Sequence, residues 1–371
     1  MNWRGTLRTK TRQPAFLWRM VLGMIATGIV LGFVAEKVWQ PGATLAKKQF
    51  VGNDASENLE SLAEQHEWGQ LWWALPTVVY RRFAQIGPAL LALLAGCCWL
   101  AFLLQALEVR GIRQLRLWYL LIAVPLGVLS IWPTHFLNLW QEEVWNLRPS
   151  QQLVPGLRYY VFSVGLREEL AKLLCLLPLM PFLLRERKEL VTLLVSAGVG
   201  LGFAITENVG YFFRSAGSDT LGRFLSANPL HMALTGLIGL AVYRGLRYPR
   251  DWGIQALTMF GMIVIAHGLY DAFIDLPAFG EYGMLGIIIF ALVIYQFFRE
   301  LRRLRTVRGE LISLSATFLC GVSLLIAATF VYLSATQGFS QAGDLLAAGV
   351  LGQAVMVYLF LREMPESMVS V

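Results

Sequence analysis

The stretch GLREELAKLL, residues 165–174, sets Arg167, Glu168, Glu169 and Lys172 inside an apolar run from Tyr159 to Leu184. Three further apolar runs carry polar groups away from their ends: Glu207 and Asn208 in GLGFAITENVGYFF, His231 in NPLHMALTG, and His267 with Asp271 in IVIAHGLYDAF. Carboxylates and imidazoles in such company can move protons to and from water, and the same atoms are ligands for a divalent metal. Residues four apart on a helix share a face, which lets His267 meet Asp271, Phe203 meet Glu207, and Glu168 meet Lys172. A carboxylate on one imidazole nitrogen fixes the tautomer and makes the other nitrogen a better base or ligand. Of the two adjacent glutamates, one can pair with Arg167 or Lys172 while the other stays free.

Each stretch alone also has a structural explanation. REELAK can be a self-compensated ion cluster that staples helices, His231 a hydrogen-bonded core histidine, His267 with Asp271 a structural pair, and Phe203 simple packing. His66 and His135 read as incidental. The joint pattern favours a site, because an ionised side chain at a helix centre costs roughly 2.5–3.5 kcal/mol and four consecutive spans carry such groups.

The elements that must hold these groups are membrane spans. The chain has 371 residues, 56% of them hydrophobic and 15% charged, and its apolar runs are about 17–25 residues long, the length needed to cross a bilayer. This predicts an all-α, polytopic transmembrane helix bundle with ten spans, near 20–39, 86–107, 117–137, 159–184, 190–213, 224–243, 253–274, 283–298, 311–333 and 344–361. Residues 40–85 form the only sizeable loop, and Trp68, Trp72 and Trp73 in EWGQLWWAL suit an interfacial helix. Counted loop by loop, 20 Lys and Arg fall on one side and nine, Arg223 among them, on the other. By the positive-inside rule both termini are cytoplasmic, and the net charge of +7 reports orientation, not nucleic-acid binding. The first span lacks a cleavage site after its apolar run and reads as a retained anchor. Cys97, Cys98, Cys175 and Cys320 lie in apolar runs without metal-ligand spacing and read as buried small hydrophobes. Gly198 and Gly202 make a small face that would draw the polar helices together.

Helix rise puts Glu168 about 14 Å and His231 about 10 Å below the outer ends of their spans, with Glu207 and His267 at roughly 6 and 9 Å. Helices running in alternating directions thus bring their polar groups to one level in the outer half of the membrane. The expected organisation is an N-terminal anchor with accessory spans over 1–154, a four-helix catalytic core over 155–275, and C-terminal accessory spans over 276–371.

At these residues the sequence resembles a known family. EELAK (Glu168, Glu169, Lys172), FAITEN (Phe203, Glu207, Asn208) and HGLYD (His267, Asp271) match in order the E-E-x-x-K, F-x-x-x-E-N and H-x-x-x-D motifs of the PrsW family of intramembrane proteases. His231 sits where that family carries a further histidine. The resemblance covers about 155–275 and implies a glutamate-dependent or metal-assisted peptidase, related to the CAAX-processing and bacteriocin-processing membrane proteases. It also implies cleavage near the outer face of a bacterial cytoplasmic membrane, with membrane-bound anti-sigma factors as associated substrates.

The chemistry of peptide hydrolysis fits the same residues. Glu168 or Glu169 would be the base on water, with His267, oriented by Asp271, polarising that water or holding a metal. Asn208 or His231 could donate to the oxyanion, and Lys172 would hold one glutamate. If a metal takes part, zinc held by His231, His267 and one of Glu207 or Glu168 would keep a position open for water. No H-E-x-x-H, G-x-S-G or G-x-G-D motif is present. The expected partners are the lipid bilayer and a membrane-anchored protein substrate. The rival reading is a proton- or ion-coupled transporter with a Glu/His/Asp relay, against which stands the absence of an internal repeat. A third is a membrane scaffold that has lost catalysis.

Overall fold

The computed structural model describes residues 7, 9–39, 53–108, 114–305, 312–348 and 350–364. The first part of the expected 40–85 loop, and the basic residues at 110, 113 and 308, lie outside the described residues. In chain order the helices are α1 (Pro14–Trp39), α2 (Asn53–Glu64), α3 (Trp68–Val79), α4 (Ile86–Ala106), α5 (Leu115–Val144), α6 (Leu153–Tyr159), α7 (Leu166–Leu176) and α8 (Met180–Glu186). There follow α9 (Glu189–Arg214), α10 (Thr220–Leu225), α11 (Ala227–Arg247), α12 (Pro249–Asp275), α13 (Met284–Leu304), α14 (Leu314–Gln337), α15 (Phe339–Ala347) and α16 (Val350–Glu363). No strand occurs among the described residues.

Eight stretches are long and apolar enough to span a bilayer: α1, α4, α5, α9, α10 with α11, α12, α13 and α14. Two of the ten expected spans take another form. The run 159–184 is helical but broken: a π-helical turn over Tyr160–Gly165 precedes α7, and a 3-10 turn over Leu177–Leu179 separates α7 from α8. Pro178 and Pro181 lack the N–H that a continuous helix would use there. The run 344–361 is divided between α15 and α16.

The bundle is organised around α9. Every residue from Val191 to Gly210 is buried except Glu207. A helix apolar on all sides belongs inside, and the one polar exception points to a space of its own. Close approach on two sides requires glycine. A Cβ on Gly202 would stand 1.9 Å from the carbonyl oxygen of Val124 in α5, and one on Gly200 would stand 2.1 Å from that of His231 in α11. The expected Gly198 and Gly202 face therefore seats α5, whereas Gly200 joins α9 to a polar helix. The π-helical turn meets α12 just as closely: a Cβ on Gly268 would lie 2.5 Å from the Tyr160 carbonyl oxygen.

Helix ends that the charge count assigned to one side do gather in space. Arg244 Nη2 donates to Glu189 Oε2 at 2.6 Å and to Glu300 Oε2 at 3.0 Å, and Arg303 joins Glu300 at 2.8 Å. On the opposite half, α3 lays Leu71 and Leu75 against Ile131 and Phe203, and Trp72 packs on Trp132 with ring centroids 4.6 Å apart. All four cysteines are free, and contrary to expectation none is fully buried; Cys97 is exposed. A bundle bathed in hydrocarbon has no need to turn small apolar side chains inward.

Replacing Gly200 with leucine forces a side chain onto backbone atoms of α11 that cannot rotate away. Overpacking costs about 1–3 kcal/mol or more, so Gly200→Leu should lower the melting temperature of the detergent-purified protein clearly. Gly23→Leu, where nothing lies within 4 Å of the added Cβ, should melt as wild type.

Candidate active site

Two of these glycine-mediated approaches, Gly200 against α11 and Gly268 against the turn before α7, bring the polar stretches of α7, α9, α11 and α12 together. At their centre is Lys172, whose side chain is wholly buried. Its Nζ lies 2.8 Å from Glu169 Oε1, 3.5 Å from Glu168 Oε2 and 2.9 Å from His231 Nδ1, and stands 4.0 Å from the centroid of the Phe203 ring. Three acceptors and an aromatic face surround one ammonium, which has three protons to give. Phe203 is thus packing, as expected, but packing that caps a charge. Its ring also meets His231 at 5.0 Å between centroids.

The two glutamates do different jobs. Glu169 is completely buried and faces Lys172 and His267, its Oε1 lying 2.8 Å from His267 Nδ1. That approach is off the hydrogen-bond direction, so Nδ1 has no formal partner. Glu168 instead lines a cavity of about 420 Å³, together with Glu207, His231, His267 and Asp271. His267 Nε2 faces both Glu168 Oε2 at 3.7 Å and Asp271 Oδ2 at 3.5 Å. The carboxylate behind His267 is therefore Glu169, and Asp271 lies on the same side of the ring as Glu168. This reverses the orientation expected from the H-x-x-x-D spacing alone, because Glu169 arrives from another helix.

His231 Nδ1 is the nitrogen near Lys172, and its Nε2 lies 3.1 Å from Glu207 Oε2. An ammonium can only donate, so Nδ1 accepts and Nε2 carries the proton toward Glu207. Glu207 also accepts from Arg223 Nη2 at 2.5 Å. Asn208, expected to serve the oxyanion, is fully buried behind the cavity wall. Its Nδ2 donates to Asn228 Oδ1 at 2.8 Å, and its Oδ1 accepts from Arg223 Nε. Arg167 leaves the REELAK cluster altogether. It donates to Asn138 Oδ1 at 2.5 Å and to Ser163 Oγ at 2.8 Å, so that cluster is not self-compensated. His66 and His135 do not line the cavity.

One Glu168 oxygen and one nitrogen each of His231 and His267 lie within 4.8 Å of one another, a span that a single ion could bridge. Two imidazoles and a carboxylate are a donor set that zinc takes. The third member is Glu168 where the sequence reading named Glu207 first, because Glu207 is already engaged by Arg223 and His231. The donor types fit a metal of this kind, which His231 would bind only by giving up its contact with Lys172 or with Glu207.

Sequence reasoning missed Arg223, Tyr160, Tyr211 and Tyr270, all of which line the cavity. Tyr211 stands four residues after Glu207 and Tyr270 three after His267, spacings that could have flagged them, whereas Arg223 was counted as a loop charge. The polar site is buried in an all-helical membrane bundle. Residues 116–297, just under half of the chain, match the model of the PrsW family of intramembrane metalloproteases. No curated protein and no solved structure matches the chain. The matched segment exceeds the expected core at both ends and takes in α5, whose Asn138 and Gln141 belong to the Arg167 network.

If Lys172 holds the buried carboxylates, Lys172→Met should destabilise the protein by about 3–5 kcal/mol by stranding Glu169 without its partner. Adding Glu169→Gln should restore a large part of that loss. Unfolding of the two single variants and the double variant in detergent measures the coupling; simple additivity would deny the pairing.

Proposed function

We propose that this chain is a PrsW-family endopeptidase that cuts single-span membrane proteins near the extracytoplasmic face, with Glu168 as the glutamate that activates water. The observation that carries this reading is the division between the glutamates. Glu169 is locked beneath the cavity by Lys172 at 2.8 Å, while Glu168 is held more loosely, at 3.5 Å from the same ammonium, and lines the cavity. Glu168 takes a proton from water, and His267, steadied from behind by Glu169, faces the same spot through Nε2. Asp271, partly exposed in the cavity, is placed to relay that proton toward the leaving amine. Were zinc bound, Glu168, His231 and His267 would be its ligands and it would supply Lewis-acid polarisation of the water and the carbonyl, with Glu168 then a ligand and not the base.

Orientation follows from the charge count. The cavity is lined by Pro149, Ser226 and Asp275, at helix ends that the positive-inside reading places outside, so the cytoplasm holds both termini and the Arg244 cluster. We take 155–275 as the catalytic core, with 1–154 and 276–371 as accessory spans in a bacterial cytoplasmic membrane. The motif resemblance makes a membrane-bound anti-sigma factor the substrate to try first.

Co-expression with a tagged single-span reporter tests the reading. Wild type should release a shortened reporter. Glu168→Gln should lose at least about a hundredfold of the rate, the usual worth of a general base, and His267→Ala should do likewise at equal membrane levels. Undiminished cleavage in either variant would sink the assignment. Metal analysis of the purified protein divides an ion-assisted site, whose bound zinc His267→Ala loses, from a site in which the side chains act alone.

A further inference from the structure

Arg223 belongs to none of the polar spans, yet it reaches the cavity from the short helix α10. Its backbone neighbour is pinned: the Phe224 carbonyl accepts from Trp99 Nε1 at 2.9 Å, and the Phe224 ring packs on Trp99 and Phe318. The guanidinium is held from three directions. Nε donates to Asn208 Oδ1 and Nη2 to Glu207 Oε2, each at 2.5 Å, and its central carbon stands 3.5 Å from the centroid of the Tyr211 ring. Asn208 is fixed in turn by fully buried Asn228. A guanidinium carries five N–H donors in a rigid fork, and Nη1 has no hydrogen-bond partner among the described residues. A cation oriented this firmly, with donors left over and lining the same cavity as Glu168, His231 and His267, is pre-organised for charge that appears during a reaction.

We propose that Arg223 is the group that stabilises the oxyanion, and that Asn208 and Asn228 are positioning residues for it. The inference rests on the peptidase reading. In the step concerned, the water oxygen bonds to the carbonyl carbon, a water proton passes to Glu168, and the carbonyl π pair moves to oxygen. The Nη1 protons of Arg223 donate to that oxygen. When the tetrahedral species collapses, the C–N bond breaks, the carbonyl re-forms, and the proton held by Glu168 leaves with the amine. Asn208 does not line the cavity, and its Nδ2 donates to Asn228 while its Oδ1 accepts from the arginine, so it is not placed for the oxyanion.

The full-length protein in liposomes, with the single-span reporter as substrate, provides the test, reading kcat and KM separately for Arg223→Gln, Arg223→Lys and Asn228→Ala. Loss of one oxyanion donor costs about 10²–10³ in kcat, so Arg223→Gln should fall by that factor with KM little changed. Arg223→Lys keeps the charge without the fork and should fall between, as should Asn228→Ala. A peptide phosphinate, which mimics the tetrahedral species, should lose affinity for Arg223→Gln by the same factor as kcat/KM falls. A merely structural arginine would not produce that parallel. Wild-type kcat in folded Arg223→Gln, or a change confined to KM, overturns the proposal. Cleavage that dies in Glu168→Gln but survives in Arg223→Gln overturns it alone, whereas a wild type that cleaves nothing overturns the peptidase reading and this proposal together.

Discussion

An ammonium with no exposure to solvent, sunk in a membrane bundle, must be answered on every side, and Lys172 is answered by Glu168, Glu169, His231 and the Phe203 ring. These partners come from α7, α9 and α11, and Glu169 extends the chain of contacts to His267 on α12. Desolvating one of these charges costs several kcal/mol, and the partners offset it only when all are in place. The four helices are therefore obliged to meet at one level. Glycines at the crossings make this possible by letting backbones approach within distances that any side chain would forbid.

Around that buried charge the site has two levels. Below are Glu169, Lys172 and Phe203, sealed from the cavity and concerned with holding. Above are Glu168, Glu207, His231, His267 and Asp271, which line it. His231 connects the levels, since one ring nitrogen faces Lys172 and the other faces Glu207. A π-helical turn precedes α7, where Arg167 turns to Asn138 and Ser163 while both glutamates face inward. Such turns are frequent at functional sites.

Much of this was legible in the sequence because charge inside an apolar span is expensive and therefore conspicuous. Glu168, Glu169, Lys172, Glu207, His231, His267 and Asp271 all announced themselves in that way, and the structure brings them together. What spacing on one helix could not reveal was which neighbour would arrive from another. The H-x-x-x-D pattern suggested Asp271 behind His267, but Glu169 occupies that place; Asn208 suggested a cavity donor, but it faces Arg223 and Asn228. Arg223 carried no signal at all, because a cation in a connecting segment looks like a topology determinant. The all-helical membrane fold was equally clear, while the broken course of 159–184 was masked by its continuous apolarity.

The central claim is that water is activated within the membrane, by Glu168, rather than in a soluble segment. The most direct measure is the position of the cut in a single-span reporter, read by mass spectrometry of both fragments. The account predicts scission within roughly nine residues of the extracytoplasmic end of the span, matching the depth of about 14 Å set by helix rise. A cut in the cytoplasmic half of the span, or in a loop well clear of the bilayer, would contradict it.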